Sequence, residues 1–128
     1  MEDTELEEMV SAYIECALWA GQDWSAVGED GSDNPVPWDD NYGPEDVSTE
    51  AMATIREECE AFYADNRDDL SDWDAGQAGH DFYLTRNRHG AGFWDRGKGP
   101  AGDRLTTAAH VYGEQDFELG DDGKLYVP

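Results

Sequence analysis

The residues best equipped for chemistry lie in one run, Gly79-His80-Asp81-Phe82-Tyr83-Leu84-Thr85-Arg86-Asn87-Arg88-His89-Gly90-Ala91-Gly92-Phe93-Trp94-Asp95-Arg96-Gly97. It holds two of the three histidines and three of the six arginines of the chain. Guanidinium and imidazole groups together grip a phosphate or carboxylate through charge-assisted hydrogen bonds. A histidine beside a carboxylate also serves as a general base near neutral pH. His80, Arg86, His89 and Arg96 are therefore the candidate catalytic or ligand-binding set. Gly90 and Gly92 would bare backbone N–H groups as an anion nest requires. Their Gly-x-Gly lacks the rest of a dinucleotide fingerprint and opens no helix, so no cofactor is implied. No serine or cysteine stands beside a histidine as an activated nucleophile. The competing reading is structural: the arginines neutralise part of a carboxylate excess, with Asp81 and Asp95 as partners.

Metal chemistry has little to work with. Cys16 and Cys59 fall inside helical patterns and read as buried free thiols. There is no Cys-x-x-Cys pair, and a tetrahedron of Cys16, Cys59, His80 and His89 is conceivable only as geometry. The acids Glu29, Asp30, Asp33, Asp39 and Asp40 lack the alternation of ligands around a glycine that a calcium loop needs.

The elements that must position this run can be read from periodicity. Leu6, Met9, Val10, Tyr13, Ile14, Ala17 and Leu18 form one stripe, predicting a helix over residues 4–20 that Gly21 ends. Trp19 and Trp24 are expected to wrap the edge of its core. Residues 22–46 read as a long loop, in which Trp38-Asp39-Asp40-Asn41-Tyr42 either folds against a pocket rim or anchors the loop through its two aromatics. Ser48 caps a second helix reaching Asp65, whose seam is Met52, Ile55, Cys59 and Phe62. An acidic turn with Leu70 and Trp73 as anchors follows, and Gly76 and Gly79 break the pattern. His80–Thr85 alternates like a strand and Ala91–Asp95 like its return, so the motif is expected to be a hairpin with Arg86 and His89 at its tip and His80 near Arg96. A third helix spans Asp103 to Tyr112. Asp116–Leu119 and Lys124–Val127, joined by Gly120-Asp121-Asp122-Gly123, make a second hairpin. The expected fold is a single acidic α+β domain over 1–128, about three helices packed on a small antiparallel sheet of short hairpins.

Charge is distributed unevenly. The net charge is −23, and the apolar fraction of 38% is low, yet five Trp, six Tyr and four Phe supply core material that a disordered chain would lack. Residues 1–79 carry a net of −21, residues 80–104 a net of +2 and residues 105–128 a net of −4. An acidic body thus surrounds one basic island. Such a body repels nucleic acid and anionic membranes, so direct binding to either is not expected. It fits a solubilising or salt-adapted surface, a cation-binding surface, or a mimic of the phosphate backbone that occupies the basic groove of a DNA-binding protein. For the mimic, Glu29, Asp30, Asp33, Asp39, Asp40, Glu57, Glu58, Asp68 and Asp69 are the candidate partner-binding residues. No apolar run approaches membrane-spanning length and the N-terminus is acidic, which predicts a soluble cytoplasmic protein.

Ala12-Tyr13-Ile14-Glu15-Cys16-Ala17-Leu18-Trp19, Asp39-Asp40-Asn41-Tyr42 with Asp46, and above all Gly79 to Asn87 with His89 to Gly97 resemble a family of small uncharacterised proteins of phages and bacterial mobile elements. Leu105-Thr106 and Asp121 to Tyr126 are similar to its C-terminal end. Where that family's pattern reads Arg-Asn-Gly-His, this chain has Arg86-Asn87-Arg88-His89, which argues against a tight glycine turn. The resemblance implies a phage or mobile-element origin and carries no activity. Together with the charge, it leads to the expectation of an accessory protein that blocks a host DNA-handling or defence protein. The alternatives are a small-ligand or phosphoester domain built on the His/Arg motif, and a structural domain with a salt-adapted surface.

Overall fold

The computed structural model describes residues 3–23 and 35–128. Four helices carry the core: α1 (Asp3–Ala20), α2 (Thr49–Asp65), α3 (Ala75–Arg86) and α4 (Pro100–Val111). Two antiparallel strand pairs flank them. β1 (Gln22–Asp23) pairs with β2 (Val36–Pro37), and β3 (Glu118–Leu119) pairs with β4 (Leu125–Tyr126). The expected mixture of helices and short antiparallel hairpins is present, but there is one more helix than the periodicity predicts. The strands form two separate pairs instead of one small sheet. Among the described residues no helix is long and apolar enough to cross a membrane.

α1 buries the stripe read from its sequence, Leu6 through Leu18. Trp19 departs from the expectation: it lies beyond the stripe and is 62% exposed. Trp24, Glu29, Asp30 and Asp33 lie outside the described residues. α2 begins where Ser48 Oγ accepts from the Ala51 N–H at 3.0 Å, an N-cap that satisfies one orphan donor of the first turn. It buries Ile55, Cys59 and Phe62. Proline at the first turn of α4 needs no partner for its missing N–H, and Leu105 and Ala109 face inward. Val47 makes a parallel bridge to Leu125, and the Ser48 N–H donates to the Leu125 carbonyl at 2.8 Å, tying the C-terminal hairpin to the entrance of α2.

The main correction concerns the central motif. His80–Thr85 is helical, within α3, and the Phe93–Asp95 segment is a short 3-10 turn, so these residues form no hairpin. α3 is central: Ala75, Ala78, Gly79 and every residue from Asp81 to Arg86 are buried. A helix buried on nearly all sides shows no amphipathic period, and the leftover alternation of Phe82 and Leu84 imitates a strand. Gly79 does not break this helix. It lets α1 approach so closely that a Cβ placed there would run into the Met9 carbonyl. The aromatic core forms on α3, where the Phe82 ring stacks on Phe62 with centroids 4.2 Å apart and Phe62 in turn stacks on Phe93 at 5.6 Å.

Candidate functional site

The helical register of α3 splits the four candidate residues among three places. Arg86, at the last position of the helix, is 1% exposed and points into the core. Its Nε donates to the Gly113 carbonyl at 2.9 Å, Nη2 donates to the Tyr112 carbonyl at 3.2 Å and pairs with Glu58 at the same distance, and Nη1 reaches the Tyr13 hydroxyl at 3.4 Å. The Phe82 and Tyr112 rings cover the guanidinium, with centroids 5.3 and 5.5 Å away. These partners occupy the guanidinium inside the fold, so Arg86 is not the cationic tip the hairpin reading gave it. Glu58, expected on the partner surface, is turned inward to neutralise it. A buried arginine without that carboxylate would be strongly destabilising.

His89 lies just past α3, its ring 5.6 Å from that of Tyr83, in a pocket of about 450 Å³ with Ala20, Gln22, Asp116 and Phe117. Burial pushes the Asp116 carboxyl above its ordinary range, against the lowering pull of the Phe117 N–H, the Tyr83 hydroxyl and the nearby His89. His89 and Arg86 therefore do not share a site.

His80 and Arg96 do meet. They line a cleft of about 450 Å³ with Ala12, Glu15, Cys16 and Trp19 of α1 and Gly76 and Gln77 of α3. The Trp19 indole stacks beside the His80 ring, with centroids 6.5 Å apart and planes 25° from parallel. Behind them Asp81 is fully buried and bound on every side. It accepts from Trp73 Nε1 at 2.9 Å, Gln77 Nε2 at 2.9 Å, and Arg96 Nε and Nη2 at 3.1 and 2.6 Å, while His80 Nδ1 stands 3.5 Å away. Burial opposes the ionised form of Asp81, but the bonds from Arg96, Trp73 and Gln77 outweigh it and hold the carboxyl below its ordinary range. The bidentate grip fixes Arg96 as a wall of the cleft and neutralises it, and Asp95 adds a second carboxylate at 3.7 Å. Cys16 is buried beside the cleft, its thiol pushed up to about 12 by burial and by the charge of Asp81, so it stays protonated at neutral pH. Among the described residues no group of three or more His, Cys, Asp or Glu is placed to hold a metal.

The loop that closes the cleft is built by the second half of the motif. The Phe93 N–H donates to Thr85 Oγ1 at 3.1 Å and the Gly92 N–H to Asp95 Oδ1 at 3.1 Å, which seats Phe93 in the core and swings Arg96 back over Asp81. Sequence reasoning missed Glu15, Trp19 and Gln77. Trp19 had a usable signal, since it falls off the apolar stripe of α1. Gln77 had one too: Asp74 followed three residues later by Gln77 is an N-capping pattern, and Asp74 Oδ1 accepts from the Gln77 N–H at 2.7 Å.

The remaining partner-binding candidates lie on the outer surface. Asp39 and Asp40 are exposed on the 3-10 turn Trp38–Asp40, anchored by the buried Trp38, and Glu57 and Asp68 are exposed along and after α2. Asp69 is engaged by Arg104, whose Nε lies 3.0 Å from both carboxylate oxygens and whose Nη2 lies 2.6 Å from one. Comparison of the chain with protein-family models, with curated proteins and with solved structures gives no match.

Proposed function

We propose that this protein is a phage or mobile-element accessory protein that binds a basic-surfaced host protein of DNA handling or defence and blocks it by presenting carboxylates where DNA phosphates would lie. The observation that supports this reading most is the internal use of the basic island. Arg86, Arg96 and Arg104, three of its five cations, are held by Glu58, Asp81 and Asp69, while Glu57, Glu60, Asp65, Asp68, Asp72 and Asp74 stay exposed along α2 and the turns after it. On α2, Glu57 and Glu60 are three residues apart and so neighbours about 5–6 Å apart on the helix surface. Such carboxylates attract a basic groove at long range and lose that attraction as salt screens it.

The test is capture from bacterial lysate on immobilised protein, with elution by rising salt and by duplex DNA. Mimicry predicts DNA-binding proteins that DNA itself displaces, and a Glu57→Lys/Glu60→Lys variant that captures less of them. Recovery of no DNA-binding protein at low ionic strength sinks the reading. A second reading, a small-ligand or phosphoester site on His80 and Arg96, draws support from the cleft they share. Its test is a thermal-shift screen with nucleotides, in which no shift at millimolar ligand counts against it.

A further inference from the structure

The cleft between α1 and α3 carries Trp19, one of two exposed tryptophans among the described residues, the other being Trp94. Trp19 is 62% exposed and steadied by the His80 ring beside it. Glu15 lies one helical turn earlier on the same side of α1 and is exposed, and Gln77 lines the cleft from α3. Among the described residues that line the cleft, Glu15 is the carboxylate and Arg96 the guanidinium, and Arg96 is already held by the buried Asp81 behind it and by Asp95 beside it. An anionic ligand would therefore meet an occupied arginine in a molecule of net charge −23. A cation meets an exposed indole and an exposed carboxylate. An indole and a carboxylate one turn apart suit a planar, forked cation better than a compact ammonium, because guanidinium stacks on the ring while it bonds the carboxylate edge-on.

We propose that this cleft is the anchor site for an arginine side chain of the basic partner protein, stacked on Trp19 and bonded to Glu15. The proposal rests on the reading of the protein as a binder of a basic protein, and it adds which side chain of that partner is gripped and where. A cleft of about 450 Å³ has room for the whole side chain with the flanking backbone at its mouth.

The experiment compares nona-arginine and nona-lysine peptides, equal in charge, by calorimetry at physiological salt, while the indole N–H signal of Trp19 is followed by NMR. The expected result is about tenfold tighter binding of the arginine peptide, with the Trp19 signal moved by it. Trp19→Ala should abolish the arginine preference and leave lysine-like residual binding. Glu15→Gln, which removes only charge, should reduce the preference without changing the thermal midpoint. Equal affinities for the two peptides, or an arginine preference untouched by Trp19→Ala, would overturn the proposal. So would adenosine monophosphate saturating the Trp19 signal while the arginine peptide leaves it unmoved. The two readings fail separately. DNA-displaceable capture by the protein and its Trp19→Ala variant alike removes the anchor and keeps the mimic, whereas an arginine preference without any captured DNA-binding protein keeps the anchor and removes the mimic.

Discussion

Arg88 is the one non-glycine described residue with positive φ, at 58°. It sits where α3 stops: its N–H bonds the Thr85 carbonyl at 3.1 Å and the His89 N–H bonds the Leu84 carbonyl at 2.9 Å, the paired closure that usually recruits glycine. The tight turn that the arginine seemed to exclude is present, with the arginine in the strained place. Left-handed backbone costs a side-chain-bearing residue about 1–2 kcal/mol, more than the extra chain entropy glycine loses on folding. Arg88→Gly is expected to raise stability by about 1 kcal/mol, read as a later urea midpoint with an unchanged slope. Two carboxylates predict opposite pH effects. Asp81 has a depressed folded pKa, so its contribution is full above the ordinary aspartate value near 4 and fades as pH falls through the lower folded value. Asp81→Asn should cost about 2–4 kcal/mol at pH 7, somewhat under a fully buried pair because Arg96 is partly exposed, and much less in strong acid. Asp116 has a raised folded pKa, so its contribution is present below the ordinary aspartate value and lost as pH rises through the folded one. Asp116→Asn should therefore stabilise the protein at pH 7 and change nothing below about pH 4. Thermal melts of both variants from pH 3 to 8 check the pair.

At the scale of elements the contact between α1 and α3 decides most of the fold. Replacing Gly79 by alanine would add about 1 kcal/mol of helix propensity, yet the new methyl would collide with the Met9 carbonyl, and prising packed helices apart costs about 1–3 kcal/mol. The clash should win, so Gly79→Ala is expected to lower the melting midpoint while the isolated α3 peptide with the same change gains helicity by circular dichroism. The same contact explains what could be read beforehand. α1, α2, α4 and the C-terminal hairpin each have one wet side, and the contrast between their two sides wrote their periods into the sequence. α3 has almost no wet side, so its residues report their neighbours in space and not their own geometry. His80 and Arg96 were recognisable as a pair, although the reason given for it, a hairpin, was wrong: a helix and a doubling-back loop bring them together over Asp81. Arg86 looked like surface chemistry because guanidinium groups usually are exposed, and nothing in its local sequence announces Glu58 as its partner.

For the whole molecule the dominant quantity is the net charge of −23. Self-repulsion destabilises the compact state at low ionic strength, with a screening length of about 10 Å at 0.1 M salt shrinking to about 3 Å at 1 M. The melting midpoint is expected to rise with sodium chloride and level off once screening is complete, by about 0.5 M. A midpoint that keeps climbing through molar salt would instead favour the salt-adapted surface over the mimic. The surface pairs Arg104 with Asp69 and Arg56 with Glu7 contribute little in either regime.

The bridge between Val47 and Leu125 sets an order of events during synthesis. The segment that seats the entrance of α2 leaves the ribosome long after α2 itself. The buried side chain of Leu125 must then cross back over a chain whose other helices are already made. A nascent chain therefore has all four helices synthesised before it has its closing strap. Pulsed proteolysis of stalled chains should find the start of α2 open until residue 125 has emerged.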